Sequence, residues 1–101
     1  MGKEKVFIAY GEAAGIIDVW GCGKAKARLK ASRGIMVVKR RPTEKVLEEA
    51  KKEGIEIVVT DGKPKEEAKR LASRVEKEEG KEVRVEKIEE IADRSMMYDV
   101  C

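Results

Sequence analysis

The chain has 101 residues, which is enough for one domain with a single hydrophobic core. Charged residues make up 43% of it and histidine is absent, so imidazole bases, Cys–His or Ser–His pairs and histidine metal ligands are excluded. No apolar stretch reaches the roughly 18 residues that a membrane span requires, and nothing resembles a signal peptide. We therefore expect one cytoplasmic domain over residues 1–101, with no membrane partner, no cofactor and no metal.

The first third of the chain begins with a strand over residues 6–10, but the following segment, residues 12–33, has two interpretations. In the first it is mainly a helix, continuous or broken near one of its glycines, each of which costs about 1 kcal/mol there. In the second, residues 16–20 pair with the first strand as a hairpin and only residues 24–32 are helical. We favour the helix because parallel strands need a crossover. Its predicted inward side chains are Ile16, Ile17 and Trp20.

The middle of the chain alternates strands and helices more clearly. Residues 35–38 are a continuous apolar run, which is typical of a central parallel strand buried on both faces. Pro42 and Thr43 then open a helix that ends at Gly54. Residues 55–59 are rich in β-branched side chains and predict the next strand.

The last third repeats this pattern. A helix after residue 63 shows apolar side chains at helical spacing and ends at Gly80. Val83 and Val85 alternate with charges, which indicates an edge strand. A final helix is expected from Ile88 onward.

These elements predict an α/β fold, a three-layer sandwich around a four-stranded, mostly parallel sheet built from βα repeats. Regular element lengths, short loops punctuated by glycine and helix surfaces filled with Lys and Glu resemble computationally designed Rossmann-like and flavodoxin-like proteins, best over residues 34–94. This likeness of style carries no functional residues. It implies a thermostable, idealised domain without evolved catalytic activity, which is our first hypothesis. The high charge content and the absence of Asn and Gln also fit a natural hyperthermophile protein.

The main functional signal is a stretch without a single acid, residues 19–43, that carries a local excess of Lys and Arg. Such a positive field binds phosphates or nucleic acid. On the predicted fold the stretch splits into a loop after a buried strand, where α/β folds bind ligands, and a helix face. The predicted anion ligands are Lys39, Arg40, Arg41 and Thr43, and the secondary basic face is Lys24, Lys26, Arg28 and Lys30.

Our second hypothesis is therefore a small domain that binds phosphate, another anion or nucleic acid through this block. Three cations beside free backbone N–H groups at a helix start favour a small anion. The alternative is that the three cations are a solvated loop that keeps the protein soluble. Because Phe7 and Trp20 are predicted to be buried, any nucleic-acid binding is expected to depend on phosphates and to be sensitive to salt.

A third hypothesis concerns the two cysteines. Cys22 and Arg28 have a C-x5-R spacing that is similar to the phosphate loop of protein tyrosine phosphatases. The resemblance implies that Cys22 is a nucleophile and Arg28 a phosphate ligand. The match departs from that pattern at Gly21, where His is expected, and at Leu29, where Ser or Thr is expected. The alternatives are that Cys22 is a small core residue and that Cys101 is a free terminal thiol rather than its disulfide partner.

Overall fold

The computed structural model of the protein describes residues 4–91, which contain four strands and three full helices, with a further helical segment at residues 88–91. The predictions for the second cysteine, Cys101, lie outside the described residues. The strands are β1 Lys5–Gly11, β2 Arg33–Val38, β3 Ile55–Val59 and β4 Glu82–Lys87. The helices are α1 Ile16–Leu29, α2 Glu44–Lys52 and α3 Pro64–Glu79.

The four strands form one parallel sheet in the order β3-β2-β1-β4. This confirms the predicted α/β class and four-stranded sheet, and every pairing is parallel rather than most of them. The two central strands are β2 and β1, and side chains of β2 from Ile35 to Val38 are almost completely buried. A continuous apolar run is required there because helices cover both faces of the sheet.

Each face of the sheet has its own hydrophobic core. Alternate residues of a strand point to opposite faces, so Phe7 joins the core under α1 and α2, while Ile8 joins the core under α3. The segment that begins at Ile88 packs on the α1 side. The predicted three-layer sandwich is therefore confirmed, with α1, α2 and residues 88–91 on one face and α3 on the other.

The helix boundaries follow local sequence signals. Thr43 is the N-cap of α2, and its hydroxyl oxygen accepts a hydrogen bond from the Val46 N–H at 3.4 Å. Gly54 and Gly80 follow α2 and α3 with φ of 71° and 62°, values that favour glycine over residues with a Cβ. These three boundaries agree with the sequence-based prediction.

Helix α1 corrects the prediction for the first third of the chain. It is continuous over Ile16–Leu29, so the hairpin alternative is wrong. Its rotation also differs from the expected one, because Val19 and Cys22 are the fully buried side chains. Ile17 is 65% exposed and Trp20 is 48% exposed, although both were predicted to point inward.

Small residues occupy part of the buried side of α1. Gly21 is buried, and a Cβ at Gly23 would lie 3.1 Å from Glu53 Oε2. The buried side of α1 thus includes a glycine, and the Glu53 side chain approaches the helix closely at Gly23. A prediction that turns the largest apolar side chains inward gives the wrong rotation here, because smaller residues occupy the buried side of the helix.

Within the part of the chain that the structure describes, no helix has both the length and the apolar character needed to cross a membrane.

Candidate anion-binding site

The carboxyl ends of all four strands meet at one edge of the sheet, because the strands are parallel. Ligands of open α/β sheets bind at this edge, typically where the strand order reverses, which here is between β1 and β4. That position is filled by the chain itself. A Cβ at Gly11, the last residue of β1, would lie 3.1 Å from the Cδ1 atom of Ile88, and Ile88 is only 4% exposed.

The second position at this edge is the turn between β2 and α2, which contains Lys39, Arg40 and Arg41. All three residues are exposed and directly follow the buried strand β2. The structure therefore brings the predicted anion ligands together at the edge of the sheet where ligands bind, in one turn of five residues that ends at Thr43. We call residues 39–43 the basic turn.

The backbone of the basic turn is held by the residue that follows β1. The N–H groups of Lys39 and Arg40 donate to the carbonyl oxygen of Glu12, at 3.1 and 2.9 Å. Sequence analysis expected free backbone N–H groups at the helix start that follows, and the N–H groups of Lys39 and Arg40 are not among them. The same contact fixes the backbone of Lys39 and Arg40 against the residue after β1. Glu12 could not be identified from its sequence pattern, because its contribution is a main-chain atom.

The remaining N–H groups belong to the start of α2. The hydroxyl oxygen of Thr43 accepts a hydrogen bond from the Val46 N–H, and its O–H hydrogen can still be donated to an anion. Glu44 and Lys45 occupy the first turn of α2, where backbone N–H groups have no acceptor within the helix. The positive end of the helix dipole lies at the same place. An anion would therefore meet three side-chain cations and the N-terminus of a nine-residue helix, whose first turn also carries the carboxylate of Glu44.

A surface depression of about 370 Å³ covers the neighbouring turn between β3 and α3. Its lining carries both signs of charge, and Arg70 is paired with Glu67 at 3.5 Å. Acids outnumber bases there, so the local field does not favour an anion. The charged lining residues are Asp61, Lys63, Glu66, Glu67 and Arg70.

The predicted secondary basic face on α1 is divided by the structure. The ammonium group of Lys26 donates to the carbonyl oxygen of Gly54 at 3.3 Å, so this side chain ties α1 to the end of α2. Lys30 is the C-cap of α1, with a left-handed backbone at φ 57°. Lys24 and Arg28 are exposed on the outer surface of the helix, together with Trp20. The four cations therefore do not form one binding face.

Arg33 is also occupied. Its guanidinium forms two hydrogen bonds with the carboxylate of Glu56, at 2.9 and 3.3 Å, across the pair of strands β2 and β3. Donating these hydrogen bonds to Glu56 raises the pKa of Arg33, which stays charged at any accessible pH. Of the cations in residues 19–43, Arg33 and Lys26 thus serve the fold.

Comparison with known proteins gives no match. No family model, no curated protein and no solved structure matches this chain. The functional argument therefore depends on the geometry and charge of the chain itself.

Cys22 lies inside α1 rather than in a loop that precedes a helix. Its side chain is fully buried, and burial raises the pKa of the thiol from 9.0 to about 12. A phosphatase-type nucleophile needs an accessible thiolate with a lowered pKa. Neither the position nor the ionisation of Cys22 meets this requirement, so the role of Arg28 as its phosphate ligand loses its basis. The alternative interpretation of Cys22, as a small core residue, agrees with its place in the hydrophobic core on the α1 side of the sheet.

Metal binding finds no support in the described range. Residues 4–91 contain no group of three or more Cys, Asp or Glu side chains placed to hold a metal ion.

Proposed function

We propose that this domain binds a small phosphate-type anion at the basic turn, residues 39–43. The observation that carries the proposal is the position of Lys39, Arg40 and Arg41 at the carboxyl end of a central strand and directly before α2. Phosphate groups suit this arrangement, because guanidinium groups bind their oxygens in a bidentate way and helix N-termini donate backbone hydrogen bonds to them.

The exposure of the three cations in the basic turn favours a weak and accessible binding site. The three cations are exposed, so each contributes on the order of 0.2–1 kcal/mol to binding an anion, as exposed ion pairs do. Together they supply about 0.6–3 kcal/mol, which corresponds to roughly 3- to 150-fold in Kd. The ligand class is therefore an anion that concentrates at least two charges, such as inorganic phosphate or a phosphomonoester, rather than a single carboxylate.

The test is titration of the protein with inorganic phosphate by calorimetry at constant ionic strength. The variant Lys39→Gln/Arg40→Gln/Arg41→Gln should weaken binding by the factor given above. The matched control is Lys69→Gln/Arg74→Gln/Lys77→Gln, which removes the same charge from exposed positions on α3, on the opposite face of the sheet. Equal weakening in both variants would show that only net charge matters. The idealised-scaffold hypothesis predicts no saturable binding at all, and that result would remove the proposal.

A further inference from the structure

The two edges of the sheet differ in how well their charges protect them against pairing with another strand. An edge strand leaves main-chain N–H and C=O groups without strand partners, and natural proteins protect such edges with charged side chains. At one edge, four of the six residues of β4 are charged. At the other edge, β3 has a single charged residue, Glu56, which already pairs with Arg33 of β2. The β3 edge is therefore the less protected one.

Apolar side chains are exposed along the β3 edge. Val59 is 47% exposed although it belongs to a strand, and Ile57 is partly exposed. Both lie on the face that α2 covers, because Ile57 packs against the core on that side and alternate residues of a strand share a face. On the opposite face, α3 packs against β1, β2 and β4 rather than β3.

Helix α2 places a further apolar side chain beside this edge. Val46 and Ala50 are its buried residues, and on one flank of them the Glu53 side chain lies beside Gly23 of α1. Leu47, which is partly buried, lies on the other flank, because successive residues of a helix are about 100° apart. Leu47 therefore faces away from α1 and toward the β3 edge.

Leu47 and Ile57 lie at the same height along the edge. Leu47 precedes Gly54 by seven helical residues and Ile57 follows Gly54 by three strand residues, and each separation amounts to about 10 Å. Because α2 and β3 run in opposite directions from this turn, the two distances are measured from the same end. We call Leu47, Ile57 and Val59 the edge strip.

The charges beside Leu47 are arranged in a self-complementary way. Glu44 precedes Leu47 by three residues and Lys51 follows it by four, so the three side chains share one side of α2. A shallow depression of about 250 Å³ is lined by Glu44, Leu47, Glu48 and Lys51. Of these residues, Glu48 lies opposite the buried side of the helix and points away from the sheet.

This arrangement selects a second copy of the chain as the occupant of the edge strip. A two-fold axis reverses the direction of the second helix, so Glu44 of each copy would face Lys51 of the other. Both charged groups are available for this contact. Within the described range, the ion pair on α2 joins Lys52 to Glu49 at 4.0 Å, and Glu44 and Lys51 form none.

We propose that the protein forms a two-fold symmetric dimer in which the β3 strands of two copies pair antiparallel and join the two sheets into one of eight strands. With the axis at Ile57, Val59 of each copy lies opposite Ile55 of the other and is covered by it. Main-chain hydrogen bonds along the edge supply affinity, as in other cases of strand addition. Because the strip is short, the dimer is weak and reversible. It requires no bound phosphate, so it stands independently of the proposed function.

Sedimentation velocity over a wide range of protein concentrations measures this dimer. A reductant is included so that no disulfide links two copies. The mass should rise reversibly from the 11.3 kDa of one chain toward twice that value. Val59→Lys places a charge on the edge and should remove the dimer over the same range. The matched control Ile17→Lys makes the same kind of change at an exposed position of α1 and should leave dimerisation unchanged. Far-UV circular dichroism checks that both variants remain folded.

Charge reversal on α2 tests the two-fold arrangement at exposed positions, where folding is least affected. Glu44→Lys and Lys51→Glu should each raise the Kd of the dimer at least about fourfold, because attraction becomes repulsion at two symmetric contacts. The double variant Glu44→Lys/Lys51→Glu should recover dimerisation. A mere effect on helix stability predicts the opposite order, since both changes oppose the helix dipole and the double variant would be the worst.

Three results would overturn the proposal. A single 11.3 kDa species at all concentrations would leave the β3 edge to a different protein, if to any. Equal loss of the dimer in Ile17→Lys and Val59→Lys would show that the contact is not specific to the β3 edge. A double charge-reversal variant that dimerises no better than the single variants would contradict the two-fold pairing of Glu44 with Lys51.

Discussion

The reactivity of Cys22 gives the sharpest test of how α1 is placed. The structure buries this thiol completely in the core under α1 and raises its pKa from 9.0 to about 12. The nucleophile hypothesis requires the opposite, an accessible thiol that is largely ionised near neutral pH. The two accounts therefore differ in a rate that can be measured without any knowledge of the substrate.

The magnitude follows from the pKa. Alkylation proceeds through the thiolate, and raising a pKa by three units lowers the thiolate fraction about a thousand-fold at any pH below 9. Burial adds steric protection, so reaction of the native protein should depend on opening of the structure. Cys22 should therefore react with iodoacetamide at pH 7.5 at least about a thousand times more slowly than an exposed thiol.

The assay uses Cys101→Ser, so that Cys22 is the only remaining thiol, and follows its modification by mass spectrometry. The same reaction in denaturant gives the unprotected rate. Fast alkylation of the native variant near neutral pH, with protection by phosphate, would refute the placement of Cys22 in the core and would restore the phosphatase hypothesis. A slow reaction that denaturant accelerates is the expected result.

Three further predictions concern stability. Thr43→Ala should lower the free energy of unfolding by roughly 0.5–2 kcal/mol in a urea titration, because α2 loses the side chain that accepts the Val46 N–H; an unchanged midpoint would contradict the capping role. Because the pKa of Cys22 is higher when folded, its contribution is complete below pH 9 and is lost between pH 9 and about 12, by roughly 4 kcal/mol; Cys22→Ala should lack this part of the alkaline slope. Thermal unfolding should occur above about 60 °C, the upper part of the mesophile range, and a lower midpoint would count against both the designed and the hyperthermophile interpretations.

The sequence predicts the architecture well where local rules and burial agree. The uninterrupted apolar run of β2 requires a strand covered on both faces, and the structure places it in the centre of the sheet. Thr43 and Gly80 mark helix ends because a hydroxyl cap and a left-handed glycine satisfy backbone groups locally. These signals depend on neighbouring residues only, and so they can be read without knowing the fold.

Sequence-based prediction is wrong or silent where a residue contacts a segment that is distant in the chain. In α1 the buried positions include Val19, Gly21 and Cys22, so Trp20 points outward although it is the largest apolar side chain of the helix. Ile88 likewise packs beside Gly11 and fills the possible ligand position between β1 and β4. No local sequence pattern predicts this contact. The position of residues 39–43 at the carboxyl edge of the sheet followed from strand and helix order, but their backbone contacts with Glu12 were not predictable.

The central claim is that an anion binds at the basic turn, and backbone NMR tests it most directly. In a ¹H–¹⁵N correlation spectrum, titration with inorganic phosphate at constant ionic strength should shift the amide signals of residues 39–45, Pro42 excepted because it has no N–H, in a saturable way. The largest changes should occur at Glu44 and Lys45 in the first turn of α2. The amides of residues 60–63, at the neighbouring turn, should stay in place. Absence of saturable shifts, or shifts centred on residues 60–63, would contradict the account.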